Sequence, residues 1–309
     1  MSLRNVDFNL LVPLRTLLEE RSVSRAAERM RMSQPALSAA LARLRRHFND
    51  ELLSRTGNSY ELTPLGVQLL ERSQSALRGM ERVFTAQADF DPAQSTREFS
   101  IASSDYAVAI IGGALTDTIA EVAPKVRLRF SNMNGSVVDD FRDSSRDYDG
   151  VLVPHGYLGD QPHIDLFRDR WVCVVSTENS VVGERLTMQQ LGELPWVYIF
   201  SGRTAYTPAA KQMELFGVDP RIEVTVSSFL VVPALLAGSD RIALIQERPA
   251  RQMVAQGGIR ILEAPFEIAP LTEAFWWNTV HDRDPEHAWF RSMLPLAAAR
   301  AGLSEPASA

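Results

Sequence analysis

Ser33-Gln34-Pro35-Ala36-Leu37-Ser38-Ala39-Ala40-Leu41-Ala42-Arg43-Leu44-Arg45-Arg46-His47-Phe48 is the stretch on which the reading of this chain turns. Leu37, Leu41, Leu44 and Phe48 recur at spacings of 4, 3 and 4, which is one face of an α-helix. Ser33 is placed to cap that helix, and Pro35 falls in the first turn, where amides have no intrahelical acceptor. The opposite side shows Ser38, Ala39, Ala42, Arg43 and Arg46. A helix that only packs a bundle usually exposes long Glu and Lys side chains, whereas small residues followed by arginines let a helix approach a surface closely. The DNA major groove admits such a helix, with polar groups at its start reading base edges and arginines holding phosphates. By periodicity alone a solvated face would look the same.

The flanks decide between the two. Upstream, Phe8, Leu11, Leu14 and Leu18 form one stripe over Phe8–Glu20, and Ser24 offers an N-cap to a short helix over Arg25–Met30, with Ala26 and Ala27 small enough for close packing. Downstream, Glu51–Thr63 sets Gly57-Asn58 between two β-capable runs, a hairpin signal with Arg55 on its rim. Two short helices, a groove-facing helix and a hairpin predict a winged helix-turn-helix over residues 1–63. Thr63-Pro64 then launches a helix over 64–89 with the stripe Leu65, Leu69, Ala76, Met80 and Val83/Phe84, and with Arg72, Arg78 and Arg82 outside it. A second copy of the chain is the simplest cover for so long a stripe, as in a two-stranded coiled coil; packing on the chain's own body is the alternative.

Charge divides the chain in the same way. The 309 residues carry a formal charge of −6, but residues 1–82 contain thirteen Arg, no Lys and nine Asp/Glu, which is +4 and leaves −10 for the rest. Cys173 is the single cysteine, so no internal disulfide forms and a reducing cytoplasm is expected. Asp7, Asn9, Pro13 and Arg15 interrupt the apolar start, no small-residue cleavage site follows, and no run approaches the ~20 apolar residues of a membrane helix.

The segment DFDPAQST, 89–96, reads as a linker. Beyond it, strand-like runs occur at Glu98–Ala102, Val126–Phe130, Gly150–Val153, Trp171–Ser176, Trp196–Phe200, Ile222–Val226, Ile242–Ile245, Ile259–Leu262 and Glu273–Thr279. They alternate with helical patterns such as Ala107–Val122, Pro208–Phe216 and Val231–Ala237, which predicts mostly parallel α/β sheets. The first strand delivers Ser103, Ser104, Asp105 and Tyr106 to a helix start, a place suited to an anion or polar ligand, although Ser104 or Asp105 acting as a plain N-cap explains the same residues. Other strand ends carry His155, then Phe200, Ser201, Thr204 and Tyr206, then Ser228 and Phe229, and Gln246. Polar groups converging from several strand ends between aromatic walls predict a small-molecule cleft.

At Ser24, Ala26-Ala27, Ser33-Gln34-Pro35-Ala36-Leu37-Ser38, Leu44, Leu52-Leu53-x-Arg55 and Leu62-Thr63-Pro64-x-Gly66 the chain resembles the LysR-type transcriptional regulators. The resemblance spans essentially the whole chain. It implies Ser33, Gln34, Pro35, Ser38 and Ala39 at the groove, Arg43 beside it, and Arg55 on the DNA backbone. Ala39 stands where many relatives have a longer polar residue, and Asn58-Ser59-Tyr60 lacks the basic residues often found at the wing tip. Base readout then falls on Gln34, Arg43 and DNA shape. For the body the resemblance implies a two-lobed, type II periplasmic-binding-protein-like effector domain over 97–309. Lobe I would take about 97–166 and 270–301, lobe II about 167–269, with crossings at Asp165–Val175 and Glu263–Phe275 and an inducer in the cleft. The closing run from Trp276 to Arg291 resembles the subgroup of nodulation regulators and nitroaromatic or salicylate-type sensors, which implies an aromatic acid as inducer. Trp276 is offered to stack on it, with a core role as the alternative. The partners implied are double-stranded DNA with a dyad-related operator, a second copy in a homodimer or homotetramer, and RNA polymerase if the protein activates.

Nothing in the sequence marks an enzyme. His47, His155, His163, His281 and His287 are scattered, without metal-ligand spacing, and neither G-x-x-x-x-G-K-[ST] nor G-x-S-x-G occurs. His281 and His287 read as helix-start decoration, and Cys173 as an inert strand residue. No cofactor and no metal are expected. The competing reading is a ligand-binding or catalytic α/β body on a dimerising helical head with no DNA function.

Overall fold

The computed structural model describes residues 7–56, 59–85, 90–132, 148–200 and 207–303. The chain divides into two compact units, Met1–Asp89 and Phe90–Ala309.

The first unit is α1 (Leu11–Glu20), α2 (Val23–Met30), α3 (Gln34–Phe48), the strands β1 (Leu53–Thr56) and β2 (Ser59–Leu62), and α4 (Pro64–Thr85). Leu14, Leu17, Leu18, Ala26, Ala27, Leu37, Leu41, Leu44, Leu52 and Leu53 form its core. Phe8 stays exposed in a 3₁₀ turn ahead of α1, because that turn stands outside the α-helical stripe. The cap of α2 is Ser22, whose hydroxyl accepts from Arg25 N, and not Ser24, which lies exposed inside the helix; the helix begins two residues earlier than its apolar pattern. Leu65, Leu69 and Leu70 of α4 pack on the head's own core, Leu77 is buried and Ala76 exposed. The first half of the α4 stripe is therefore covered within the chain, by α1. Met80 is half-buried, and the side chains of 81–85 lie outside the described residues.

At the wing base, Leu52 adopts a left-handed conformation (φ 60°) while fully buried. Asp50 Oδ1 holds it there, accepting from Leu52 N at 2.6 Å and from the Thr63 hydroxyl at 2.7 Å. A Cβ on Gly66 would stand 2.6 Å from the Leu52 carbonyl oxygen, so only glycine lets α4 start so close to the wing.

The second unit holds two five-stranded sheets. The first contains β3 (Glu98–Ser103), β4 (Arg127–Asn132), β5 (Gly150–Pro154), β6 (His163–Asp169) and β12 (Leu271–Trp276), in the order β4-β3-β5-β12-β6. The second contains β7 (Trp171–Ser176), β8 (Pro195–Ile199), β9 (Arg221–Val226), β10 (Ile242–Gln246) and β11 (Ile259–Leu262), in the order β11-β7-β10-β8-β9. After β3 the chain forms α5 (Asp105–Ala107), which runs through a π-helical turn (Val108–Gly112) into α6 (Gly113–Val122). The remaining helices are α7 (Met188–Glu193), α8 (Pro208–Leu215), α9 (Val232–Leu236), α10 (Glu247–Gln256) and α11 (Pro285–Arg300).

The sheets are mixed rather than mostly parallel. β12 runs antiparallel to β5 and β6, and β7 antiparallel to β10 and β11. The reason is that the chain passes from one sheet to the other twice without a helix, at β6–β7 and β11–β12, and a parallel neighbour needs a helical crossover. Strand β6 lay hidden in the sequence because it is an edge strand with a half-solvated pattern. Alternation gives the first sheet two faces. Phe99, Ile101, Leu152 and Phe275 face the main core, while Ala102, Val151, Val153, Ala274 and Trp276 form a separate cluster on the other side.

Candidate nucleic-acid interface and effector site

In α3 the sequence separates two faces cleanly. Leu37, Ala40, Leu41 and Leu44 are buried, whereas Ser33, Gln34, Pro35, Ser38, Ala39, Ala42, Arg43 and Arg46 are exposed. Ser33 Oγ accepts from Ala36 N at 3.3 Å and fixes the start of the helix. Arg31 in a left-handed conformation ends α2 and makes the turn into α3. Arg45 ties α3 to the wing, donating to Glu51 O at 2.9 Å and Leu53 O at 3.2 Å. Arg55 is exposed on β1 opposite Tyr60; the predicted tip Gly57-Asn58 lies outside the described residues. On α3, Arg43 donates to Asp7, whose carboxyl the Asn9 amide and Arg43 together hold below its ordinary range. Glu19 and Glu20 are engaged by Arg15, Arg25 and Arg29 on the α1–α2 side, away from α3's exposed residues in sequence and in pairing.

In the second unit, Ser104 does cap α5, accepting from Ala107 N at 3.2 Å, and buried Ser103 donates to Ser104 O. Asp105 does more than cap. Its carboxylate accepts from the Ser228 hydroxyl at 2.5 Å and from the amides of Phe229 and Leu230, both at 3.1 Å, so it joins the end of β3 to the loop after β9. Tyr106, Phe229 and Phe200 follow one another edge to face, at 5.9 and 5.7 Å. Asp105, Tyr106, Phe200, Ser228 and Phe229 thus come together from both sheets. Gln246 is buried at the end of β10, with its amide oxygen lacking a hydrogen-bond partner among the described residues. Ser201, Thr204 and Tyr206 lie outside the described residues.

Two acids missed by sequence reasoning sit beside this group. The Tyr106 hydroxyl donates to Asp169 Oδ2 at 2.9 Å where β6 gives way to β7. Glu273, in the middle of β12, is 1% exposed, and neither carboxylate oxygen has a partner among the described residues. Burial, then the charge of Asp169, pushes the Glu273 carboxyl up to about 8, and burial raises Asp169 as well. The one signal for Glu273 was an acid in the apolar run LTEAFWW, where alternation normally reserves the position for a hydrophobe.

His155 and Trp276 do not join the Tyr106 group. Trp276 is buried in the cluster on the other face of the first sheet, its indole N–H on Val153 O, and His155 lies over it with His163 and Asp165. Trp277 is also a packing residue, donating to Asp282 and lying under Arg291. The histidines are not scattered: the fold gathers His155 with His163 and Asp165, and His281 with His287 and Asp149. His287 does stand in the first turn of α11, as a helix-start residue, but it and His281 are buried and stacked at 4.5 Å, so they are packing residues rather than decoration. His287 bonds Asp149 O and Arg291, and burial, with His281 close by, pushes it down to about 4. Cys173 is fully buried and its thiol pushed up to about 12. No helix among the described residues is long and apolar enough to cross a membrane.

A winged helix-turn-helix joined to a pair of mixed α/β sheets linked by two strand crossings defines a DNA-binding regulator with a small-molecule sensor. Residues 8–67 match the family described as "Bacterial regulatory helix-turn-helix protein, lysR family", and residues 92–298 match the LysR substrate binding domain. The chain belongs to the LysR family of transcription regulators. It is 33% identical to Nodulation protein D 2 of Rhizobium tropici over 298 residues, 95% of this chain and 93% of that one. A probable transcriptional regulator of Pseudomonas aeruginosa has the same fold, with a TM-score of 0.72 and 27% identity over 98% of both chains. Full-length CbnR complexed with its target DNA shares the fold at a TM-score of 0.64 and 15% identity, over 96% of this chain and 100% of that one. The protein is a transcription regulator and not an enzyme.

Proposed function

We propose that the protein binds a dyad-related operator as a homodimer or homotetramer and changes its DNA contacts when a small molecule occupies the sensor. Ser33, Gln34, Pro35, Ser38 and Ala39 would face the base edges, Arg43 would act beside them, and Arg55 would hold phosphate. The observation that carries this reading is the exposed face of α3, small at its start and cationic farther along, on a helix whose other face is buried. Gln34→Ala is expected to flatten sequence preference by about 1–3 kcal/mol per site contact, while Arg55→Ala weakens binding to all sequences alike. Gel-shift titration of each variant against specific and scrambled DNA reads this. Equal loss on both DNAs for Gln34→Ala overturns its role.

The sensor reading is supported by Asp105, Tyr106, Phe200, Ser228 and Phe229, which contact one another from both sheets, and it includes Gln246, buried at the end of β10, with Ser103 and Ser104 at the helix start and Ser201, Thr204 and Tyr206 proposed from sequence. A small aromatic acid is the proposed ligand class. At 100 times its Kd a cognate ligand stabilises the protein by about 2.7 kcal/mol, which thermal-shift screening detects and Tyr106→Phe reduces. No shift with any aromatic acid overturns the ligand class. The lone cysteine and the DNA partner support action in the cytoplasm, and RNA polymerase is a further partner if the protein activates.

A further inference from the structure

We propose that His155, His163 and Asp165 form a binding site for a divalent transition ion of the zinc class, on the face of the first sheet that carries Trp276. His155 follows directly on β5, and its amide donates to Thr272 O at 3.0 Å, which anchors it to β12. His163 and Asp165 are two apart on β6, so they project from the same face of the sheet. The end of β5 and the strand β6 therefore present two imidazoles and a carboxylate to one point, and the ligand atoms all lie within 4.8 Å of one another.

His155 and Asp165 stand at hydrogen-bond distance, with His163 farther off, so an ion enters this cluster by displacing the proton between the first two. His155 Nε2 is 2.6 Å and His163 Nε2 3.8 Å from the same oxygen, Asp165 Oδ1. A tetrahedral ion with bonds of about 2.0–2.2 Å needs its ligand atoms roughly 3.3–3.6 Å apart; the His163 separation is close to that, and the exposed His155 and Asp165 side chains must part by roughly 0.7–1.0 Å to admit the ion. His163 is also held in the required tautomer. Its Nδ1 lies 3.0 Å from the Gln161 carbonyl, to which it can only donate, which leaves Nε2, on the side of Asp165, as the nitrogen available to an ion. Trp276 supports both rings from below, at 5.1 Å from His155 and 4.3 Å from His163. When the ion enters between His155 Nε2 and Asp165, the proton of their hydrogen bond is released to solvent. Two nitrogens and one oxygen suit zinc, copper(II) or nickel(II) rather than magnesium or calcium. The three side chains are 41, 37 and 58% exposed, which leaves an entry path and positions for water on the ion.

The buried group Asp149, His281 and His287 offers no equivalent. Both His287 nitrogens are engaged, by the Asp149 carbonyl at 2.7 Å and by Arg291 at 2.8 Å, and Arg97 and Ser100 hold the Asp149 carboxylate.

The test is a zinc titration of the tag-free, full-length protein at pH 7.5 against a chromogenic chelator, with cobalt(II) absorption as a second readout. One equivalent per chain is expected to bind, with a cobalt spectrum of four- or five-coordinate intensity. His163→Ala and Asp165→Asn are each expected to weaken zinc at least tenfold while leaving the melting temperature of the metal-free protein unchanged. Asp165→Asn, isosteric and exposed, keeps the test valid should the histidine variant fold poorly. Absence of saturable zinc binding, or an affinity unchanged in both variants, overturns the proposal.

Discussion

Glu273 concentrates the chemistry of the sensor unit in one carboxyl group. It is buried, without a hydrogen-bond partner among the described residues, and its proton is retained up to about pH 8. The unfolded chain releases that proton near its ordinary value of 4.5, so between 4.5 and 8 the folded protein binds the extra proton. Stability conferred by this residue is therefore fully present below about pH 4.5 and is lost as pH rises through about 8. The slope is at most about 1.4 kcal/mol per pH unit. Glu273→Gln removes it: the variant is expected to match the wild type in melting temperature near pH 5 and exceed it near pH 9. A constant difference across that range contradicts the account. Sequence reasoning could not find this residue, because burial without a partner depends on which strands flank β12.

At the scale of elements, local signals served well wherever one periodicity or one cap decided the outcome. Ser33, Pro35 and the Leu37-Leu41-Leu44 stripe placed α3 correctly, and Trp171–Ser176 and Ile259–Leu262 are the observed β7 and β11. What failed depended on neighbours. Ser22 outcompetes Ser24 as a cap, and the antiparallel strands follow from crossings that only the assembled sheets define. The grouping of Asp105 with Ser228 was legible only as two separate strand ends. Together they make an element-level device, because three hydrogen bonds from one carboxylate bind the start of α5 to the loop after β9. Asp105→Ala leaves two amides and a hydroxyl without that acceptor and is expected to cost about 1–3 kcal/mol, since α5 keeps its Ser104 cap. Chemical denaturation measures it. A loss under 0.5 kcal/mol would show that the bridge contributes little, on the scale of a surface contact.

For the whole molecule, the net charge of −6 is misleading, and its distribution is the informative quantity. Residues 1–82 carry +4; with Asp89 counted, the unit that carries α3 and the wing has +3 and the unit built of two sheets −9. Acids on the α1–α2 side are matched by Arg15, Arg25 and Arg29, while on the exposed face of α3 Arg43 pairs with Asp7 and Arg46 is exposed beside it. Binding of DNA by a basic unit is driven by counterion release and is therefore salt-dependent. The most direct test is a gel-shift titration of the full-length protein on upstream genomic DNA and on random DNA over a series of salt concentrations. The account predicts a Kd of roughly 10⁻⁸–10⁻¹¹ M on the specific site, at least 10³-fold tighter than on random DNA, with affinity falling steeply as salt rises. Equal affinity for both DNAs, or none for either, would contradict it.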